Sequence, residues 1–324
     1  MLQSIEIENF RCFEKASISG FEQINLITGK NNSGKTALLE AIYLLLSCDY
    51  KGLTSTTRQS EKDVEKEKNL FYNQLTHKPI QIISYVGTES GIHFQLSSTS
   101  PKQHFFNEID TLKNGQKQYI NNSFHIGIAH TFVFDKYNQL PVSGSLTSLL
   151  DYWDKKGEKF RVLEALKIID SSLMDIRTFA TFPDVLYLQK QGSSEYQPIY
   201  YLGDAVQKIV RYVINILNNY PNKDVLNVLL LDEIENGIHY TAQAEVWRML
   251  MKLCKHYNIQ LFATTHSLEM IKAFQSVCAE KEFVGMGGYF ELGRSPKNQQ
   301  IIGVKHDLET LEYELASGDT IRGE

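Results

Sequence analysis

Apolar and polar positions alternate over residues 2–8, "LQSIEIE", as they do in a strand with one face buried. Residues 24–28, "INLIT", read as a short buried strand that stops at Gly29. The next segment, 36–46, places Leu38, Leu39, Ile42, Leu45 and Leu46 on one helical face. Residues 51–76 are polar and charged and close on "NLFYNQL". Three strand-like runs follow, "IQIISYV", "GIHFQLS" and "FHIGIAHTFVF", with "TESG" at 88–91 as a hairpin turn between the first two. This pattern predicts an antiparallel β-rich insertion. Residues 147–175 read as helical, with Phe160, Leu163, Leu166, Ile168 and Ile169 as the apolar positions.

The last third returns to α/β alternation. A helix over 205–217 carries a stripe of Val206, Ile209, Val210, Val213, Ile214 and Leu217. The apolar strand "VLLL" at 228–231 follows, then a helix over 241–256 with Val246, Met249, Leu250 and Leu253 aligned, then the strand "IQLFATT". Continuous apolar strands separated by helices imply a mostly parallel sheet covered on both faces. The pattern thus predicts one α/β domain. Its core is built from 1–49 and 200–324, interrupted by a polar and β-rich insertion at 50–145 and a helical subdomain at 146–199.

Candidate chemistry sits at the strand ends. "GKNNSGKT", Gly29 to Thr36, fits G-x-x-x-x-G-K-[ST] between a strand and a helix. Glycines there let successive N–H groups converge on an anion, and the helix N-terminus adds partial positive charge. In such a P-loop, Lys35 reaches the β- and γ-phosphates of ATP and Thr36 offers its hydroxyl to Mg²⁺. "VLLLDEIENG" puts Asp232 and Glu233 at the end of a buried strand, facing the same crevice. Asp232 is expected to hold Mg²⁺ and Glu233 to take a proton from an attacking water. Two adjacent acids favour hydrolysis over transfer to a second substrate. His266 ends a third strand, where a γ-phosphate sensor would lie.

These segments resemble the ABC-type ATPase heads of the RecF/SMC/OLD group. The similarity is strongest to the small bacterial AAA-family ATPases with OLD-like heads. "IENFRCFEKASI" matches the opening strand and its Asn-Phe-Arg element, "ITGKNNSGKTALLEAIYLL" the Walker A unit, and "YLGDAVQKIVRYV" the signature helix. "LLLDEIENGIH" matches Walker B and the D-loop, "QLFATTHSLEMIKAF" the histidine switch, and "HDLETLEYELASGDTIRGE" the closing helix. The resemblance implies an α/β P-loop NTPase that works as a pair, two copies enclosing two ATP molecules. It implies that Gly29, Lys30, Asn31, Asn32, Ser33, Gly34, Lys35, Thr36 and Ala37 bind ATP in cis. Thr36 and Asp232 hold Mg²⁺, and Lys35, Glu233 and His266 serve catalysis. Leu202, Gly203 and Asp204 contact the nucleotide of the opposite subunit. Asp204 and Ala205 replace the usual serine and second glycine of the signature, so turnover is expected to be slow or partner-dependent. Gln139 is the candidate Q-loop residue.

Composition then limits the role. The apolar fraction is 42%, enough for a sizeable core, and the formal net charge is −5, which gives no global pull toward nucleic acid. DNA contact therefore needs a local patch and is left open; the mixed-sign run "DKKGEKFR" reads as a solvated face. No apolar run is long enough to span a membrane, and "MLQSIEIENF" is not a signal peptide. Cys12, Cys48, Cys254 and Cys278 are scattered, without a C-x-x-C pair, so a cytoplasmic location without disulfides is expected. No heptad run supplies a coiled-coil arm. With so few residues after Ser267, the TOPRIM nuclease domain of full-length OLD proteins is not expected here. A homodimeric or larger switch ATPase that governs a separately encoded nuclease or toxin, in anti-phage defence, is the expectation. A RecF-like repair ATPase acting on DNA is the alternative, with a transporter motor and a P-loop kinase further behind.

Overall fold

The computed structural model describes residues 1–47, 68–86, 90–99, 104–113, 116–119, 130–135, 146–167, 170–202, 208–210, 212–213, 216 and 226–317. Gln139, Gly203, Asp204, Ala205 and Cys48 lie outside the described residues, as do the turn at 87–89 and the end of the chain beyond residue 317.

A six-stranded sheet holds the centre. Its strands are β3 (Ile24–Gly29), β8 (His130–Asp135), β12 (Leu226–Leu231), β13 (Ile259–Thr264), β14 (Gly287–Arg294) and β15 (Ile301–His306), in the order β15-β14-β3-β13-β12-β8. All adjacent pairs are parallel except β14–β15. Every residue of β12 and β13 is buried, which is why these strands are mostly apolar, with Asn227, Gln260 and Thr264 as the polar exceptions.

A second six-stranded sheet is antiparallel throughout. It runs β2 (Phe13–Ser19), β1 (Leu2–Phe10), β4 (Ile80–Val86), β5 (Ser90–Thr99), β6 (His104–Lys113) and β7 (Gln116–Tyr119). Helix α1 (Lys35–Ser47) packs between the two sheets. The apolar face expected for α1 is buried, and so are Ala41 and Leu44 off that face, because the helix has a sheet on each side. On the other face of the central sheet lie α4 (Gln243–Tyr257), α5 (Leu268–Cys278) and the helical residues 208–210, 212, 213 and 216. Helices α2 (Leu146–Lys155) and α3 (Lys159–Lys167) and a three-stranded sheet join this layer. That sheet is made of β9 (Leu173–Phe179), β10 (Phe182–Lys190) and β11 (Tyr196–Pro198). Helix α6 (Leu308–Ser317) packs on α5.

Two expectations from the hydrophobic pattern are corrected. "FHIGIAHTFVF" was expected within the antiparallel insertion, but its second half, β8, pairs parallel to β12 at the edge of the central sheet. Apolar runs of this length suit either kind of sheet, and periodicity alone does not choose. The helical reading of 147–175 stops at α3. From Leu173 the chain forms a sheet instead, with Leu173, Ile176, Leu186 and Leu188 buried.

Gln260 stitches the two large sheets together. Fully buried on β13, it accepts from Leu2 N–H (2.7 Å) and donates to Leu2 O (2.8 Å) and Glu22 O (2.9 Å). Gln260→Leu strands these main-chain groups, and urea denaturation should show a stability loss of about 3 kcal/mol. Among the described residues no helix is long and apolar enough to cross a membrane.

Candidate nucleotide site

The loop after β3 has its shape because two of its residues lack a side chain. Gly29 has φ +140°, and a Cβ there would lie 2.2 Å from Leu292 O and 2.6 Å from Ser33 Oγ. Gly34 has φ +97°, and a Cβ would meet Cys12 Sγ, Ile301 Cδ1 and Phe13 Cζ at 3.1 Å each. Between them Asn32 adopts φ +62°, a left-handed conformation that asparagine tolerates. Helix α1 opens on Lys35, so the N–H groups of its first turn, which have no intrahelical acceptor, face the loop.

Lys35 is 8% exposed, and its ammonium donates to Gly29 O (2.7 Å) and Lys30 O (3.0 Å). Burial holds its pKa below the usual lysine range, against the opposing pull of Asp232, Glu235 and Glu233. The loop's own carbonyls thus stand where an anion's oxygens would serve the ammonium better. Ser33 Oγ, buried in the same loop, has no hydrogen-bond partner among the described residues.

Thr36 donates to Asp232 Oδ2 at 2.9 Å, joining the start of α1 to the end of β12. Thr264, the last residue of β13, donates to Asp232 Oδ1 at 2.5 Å and accepts from Glu233 N–H at 2.9 Å. Two strand ends and the start of α1 are thereby fixed to one another around a single carboxylate. Glu233 has φ +51°, an uncommon conformation for a residue with a long side chain. Its Oε2 accepts from Asn236 Nδ2 at 2.6 Å, and its Oε1 lies 3.6 Å from His266 Nε2. Glu235 approaches the same histidine: its Oε1 accepts from His266 N–H at 3.0 Å and lies 3.7 Å from Nε2.

Thr36, Asp232, Glu233 and His266 face one cavity of about 590 Å³, within the usual range for a small-molecule site. It is lined by Asn31 to Ala37 and by Asp232, Glu233 and His266, so the three remote segments do converge. Lys30 is exposed and outside the lining. Leu202 closes a 3₁₀ turn, Ile199–Leu202, directly before residues that are not described.

Four further lining residues escaped the reading of the sequence: Arg11, Cys12, Glu40 and Asn69. Arg11 Nε donates to Glu40 Oε2 at 2.9 Å and its Nη2 to Oε1 at 3.3 Å, while its Nη1 reaches Asn69 O at 3.2 Å. A bidentate pair of this kind is geometrically specific, but nothing in the spacing of residues 11 and 40 announces it. Thr264 and Glu235 were missed as well; the polar ends of "FATTHS" and "DEIENG" were the available signal. Burial pushes the Cys12 thiol up to about 11, so it is an inert lining group.

The donor set is one of hard oxygens: the Asp232 carboxylate and the hydroxyl of Thr36. Among the described residues no group of three or more His, Cys, Asp or Glu side chains could hold a metal alone. Such a pair fits Mg²⁺, which takes one or two protein oxygens and completes its shell with phosphate and water. Charge points the same way. Arg11 is committed to Glu40, which leaves Lys35 facing Asp232, Glu233 and Glu235. A polyanion enters such a site most favourably with a divalent cation.

Comparison with known proteins agrees with this geometry. Residues 24–272 match the family described as "AAA domain, putative AbiEii toxin, Type IV TA system". An ATP/GTP phosphatase of Helicobacter pylori is 25% identical over an alignment of 384 residues that spans the whole of both chains. The DNA replication and repair protein RecF of Idiomarina loihiensis is 50% identical over 44 residues, 14% of this chain and 12% of that protein. Among solved structures, an SMC head bound to the C-terminal winged-helix domain of ScpA superposes with a TM-score of 0.59 at 13% identity, covering 96% of this chain and 99% of the other. An SMC head from Pyrococcus furiosus gives 0.59 at 12% identity, covering 98% of each. At such identities the structural likeness speaks for the fold, an ABC-type head.

Thr264→Val keeps the shape of the side chain but removes one donor to Asp232 and the acceptor for Glu233 N–H. Stability in urea should fall by about 2 kcal/mol. A variant as stable as the parent would mean that the junction of strand ends is held elsewhere.

Proposed function

The chain belongs to this AAA-domain family and is an ATPase of the group that includes RecF and SMC heads, and on that premise we propose that it is a switch. In this reading it closes as a homodimer on two ATP molecules, opens on hydrolysis, and governs a separately encoded nuclease or toxin in defence against phage. The observation that carries the site assignment is the Thr36–Asp232–Thr264 junction, with Glu233 and His266 facing the same cavity as the loop.

Each residue then has a task. On ATP binding Lys35 exchanges the carbonyls of Gly29 and Lys30 for phosphate oxygens, and the amides of 31–36 follow the phosphate chain. Thr36 and Asp232 are the residues that would hold Mg²⁺, whose charge lowers the cost of negative charge building up on the phosphate oxygens. Glu233 accepts a proton from the water that attacks the γ-phosphorus. His266 senses the γ-phosphate from its place beside Glu233. Gly203 and Asp204, with Leu202, reach the partner copy's nucleotide. The toxin–antitoxin wording of the family description supports an effector of the nuclease or toxin class. The short RecF similarity favours the second reading, a repair ATPase acting on DNA itself. A strongly salt-dependent affinity of the isolated protein for DNA would select it.

Lys35→Ala should abolish binding of ATP with magnesium. Glu233→Gln should bind ATP normally and slow hydrolysis at least about 100-fold. It should also elute in ATP as a species of twice the mass. Normal ATP binding by Lys35→Ala would overturn the site assignment. A monomeric Glu233→Gln in saturating ATP would overturn the paired switch. Co-expression with the product of the adjacent gene tests the effector: an unrelated, non-interacting protein there would count against it.

A further inference from the structure

Lys208 is 5% exposed, yet no step described so far uses it. Its ammonium donates to three main-chain carbonyls of one loop: Glu233 O (2.9 Å), Asn236 O (3.1 Å) and Ile234 O (3.3 Å). An ammonium has three N–H donors, and here three carbonyls of one loop converge on it. The Tyr212 ring lies 5.8 Å from the same nitrogen. Burying an ammonium is costly, and neutral carbonyls offset that cost only when several converge. A lysine at this position is therefore specific to the path of the 233–236 loop.

That path is strained where it matters. Glu233 sits at φ +51°, a conformation that is costly for a residue with a side chain and persists only when its surroundings enforce it. Two contacts enforce it. Thr264 Oγ1 takes the Glu233 N–H, and Lys208 takes the Glu233 carbonyl. With both ends of the residue pinned, the carboxylate is aimed at the cavity beside His266. Thr264 belongs to the central sheet. Lys208 belongs to the helical residues that come directly after 203–207 in the chain.

We infer that Lys208 is a positioning residue. It holds Glu233 in its left-handed conformation and ties the orientation of the catalytic carboxylate to the helix that follows the 203–207 segment. This rests on the reading of Glu233 as the proton acceptor.

Lys208→Met, which keeps the length and apolar stem but loses the three donors, separates the two. The kcat for ATP should fall about 100-fold, the scale of a misplacement of order 1 Å. The Kd for ATP, measured on the same protein, should stay within about threefold, since the P-loop contacts are untouched. Lys208→Arg, which keeps the donors, should restore most of the rate. Added to Glu233→Gln, Lys208→Met should change the residual rate less than about twofold, because the two residues act as a unit. Parental kcat in Lys208→Met, with Glu233→Gln inactive, would overturn the inference and leave the site assignment intact. Unimpaired hydrolysis by Glu233→Gln would instead overturn the assignment on which it rests. Should Lys208→Met not fold, Lys208→Gln gives the same reading. If neither folds, Lys208 is a packing residue and the inference fails.

Discussion

The site depends on one carboxylate gripped by two hydroxyls. Asp232 is reached by Thr36 from the start of α1 and by Thr264 from the end of β13. Each of these residues ends or begins an element whose remainder is mostly apolar and buried, so the elements' packing fixes where the hydroxyls stand. A hydrogen bond to an ionised acceptor is shorter and stronger than one between neutral groups. It also leaves Asp232 with oxygens already aligned toward the cavity before any ligand arrives. The order of the strands matters here. β3 and β13 are neighbours although more than two hundred residues separate them, and β12 lies next to β13. The carboxyl ends of three adjacent parallel strands therefore open on a single crevice.

The two large sheets divide the labour. The central sheet carries the acids and the histidine at its strand ends. The antiparallel sheet covers α1 and, through the turn at Arg11 and Cys12, forms the far wall of the cavity. Gln260 and the α1 leucines hold the two together, one by satisfying main-chain groups that burial has cut off from water and the others by apolar contact. The helix is thus apolar on nearly every side, and its charged residues, Lys35 and Glu40, line the cavity together with Thr36.

How far the sequence could be read follows from what kind of information each feature needs. Gly29, Gly34, Lys35, Thr36, Asp232 and Glu233 were legible because local spacing dictates their geometry: a loop between strand and helix, and acids after a buried run. The central strands were legible because full burial leaves a continuous apolar signature. β8 was misplaced because its partner, β12, lies some ninety residues away, and pairing partners are not written in local periodicity. The sheet of β9 to β11 was read as helix because its leading apolar residues, Leu173 and Ile176, also fit a helical spacing; only the later alternation of Leu186 and Leu188 distinguishes the two. Thr264, Glu235, Lys208 and Arg11 act through partners distant in the chain or through main-chain carbonyls, which leave no trace in residue spacing.

The Arg11–Glu40 pair ties the chain's first hairpin to the helix that follows the loop, with the guanidinium seated on a carboxylate 4% exposed. Replacing Arg11 alone leaves the buried Glu40 carboxylate without this counterion. Positions 11 and 40 can therefore drift only in concert, by charge reversal or joint loss. Any lineage that reshapes the opening turn to admit a different ligand must pass through a change in the nucleotide helix at the same moment.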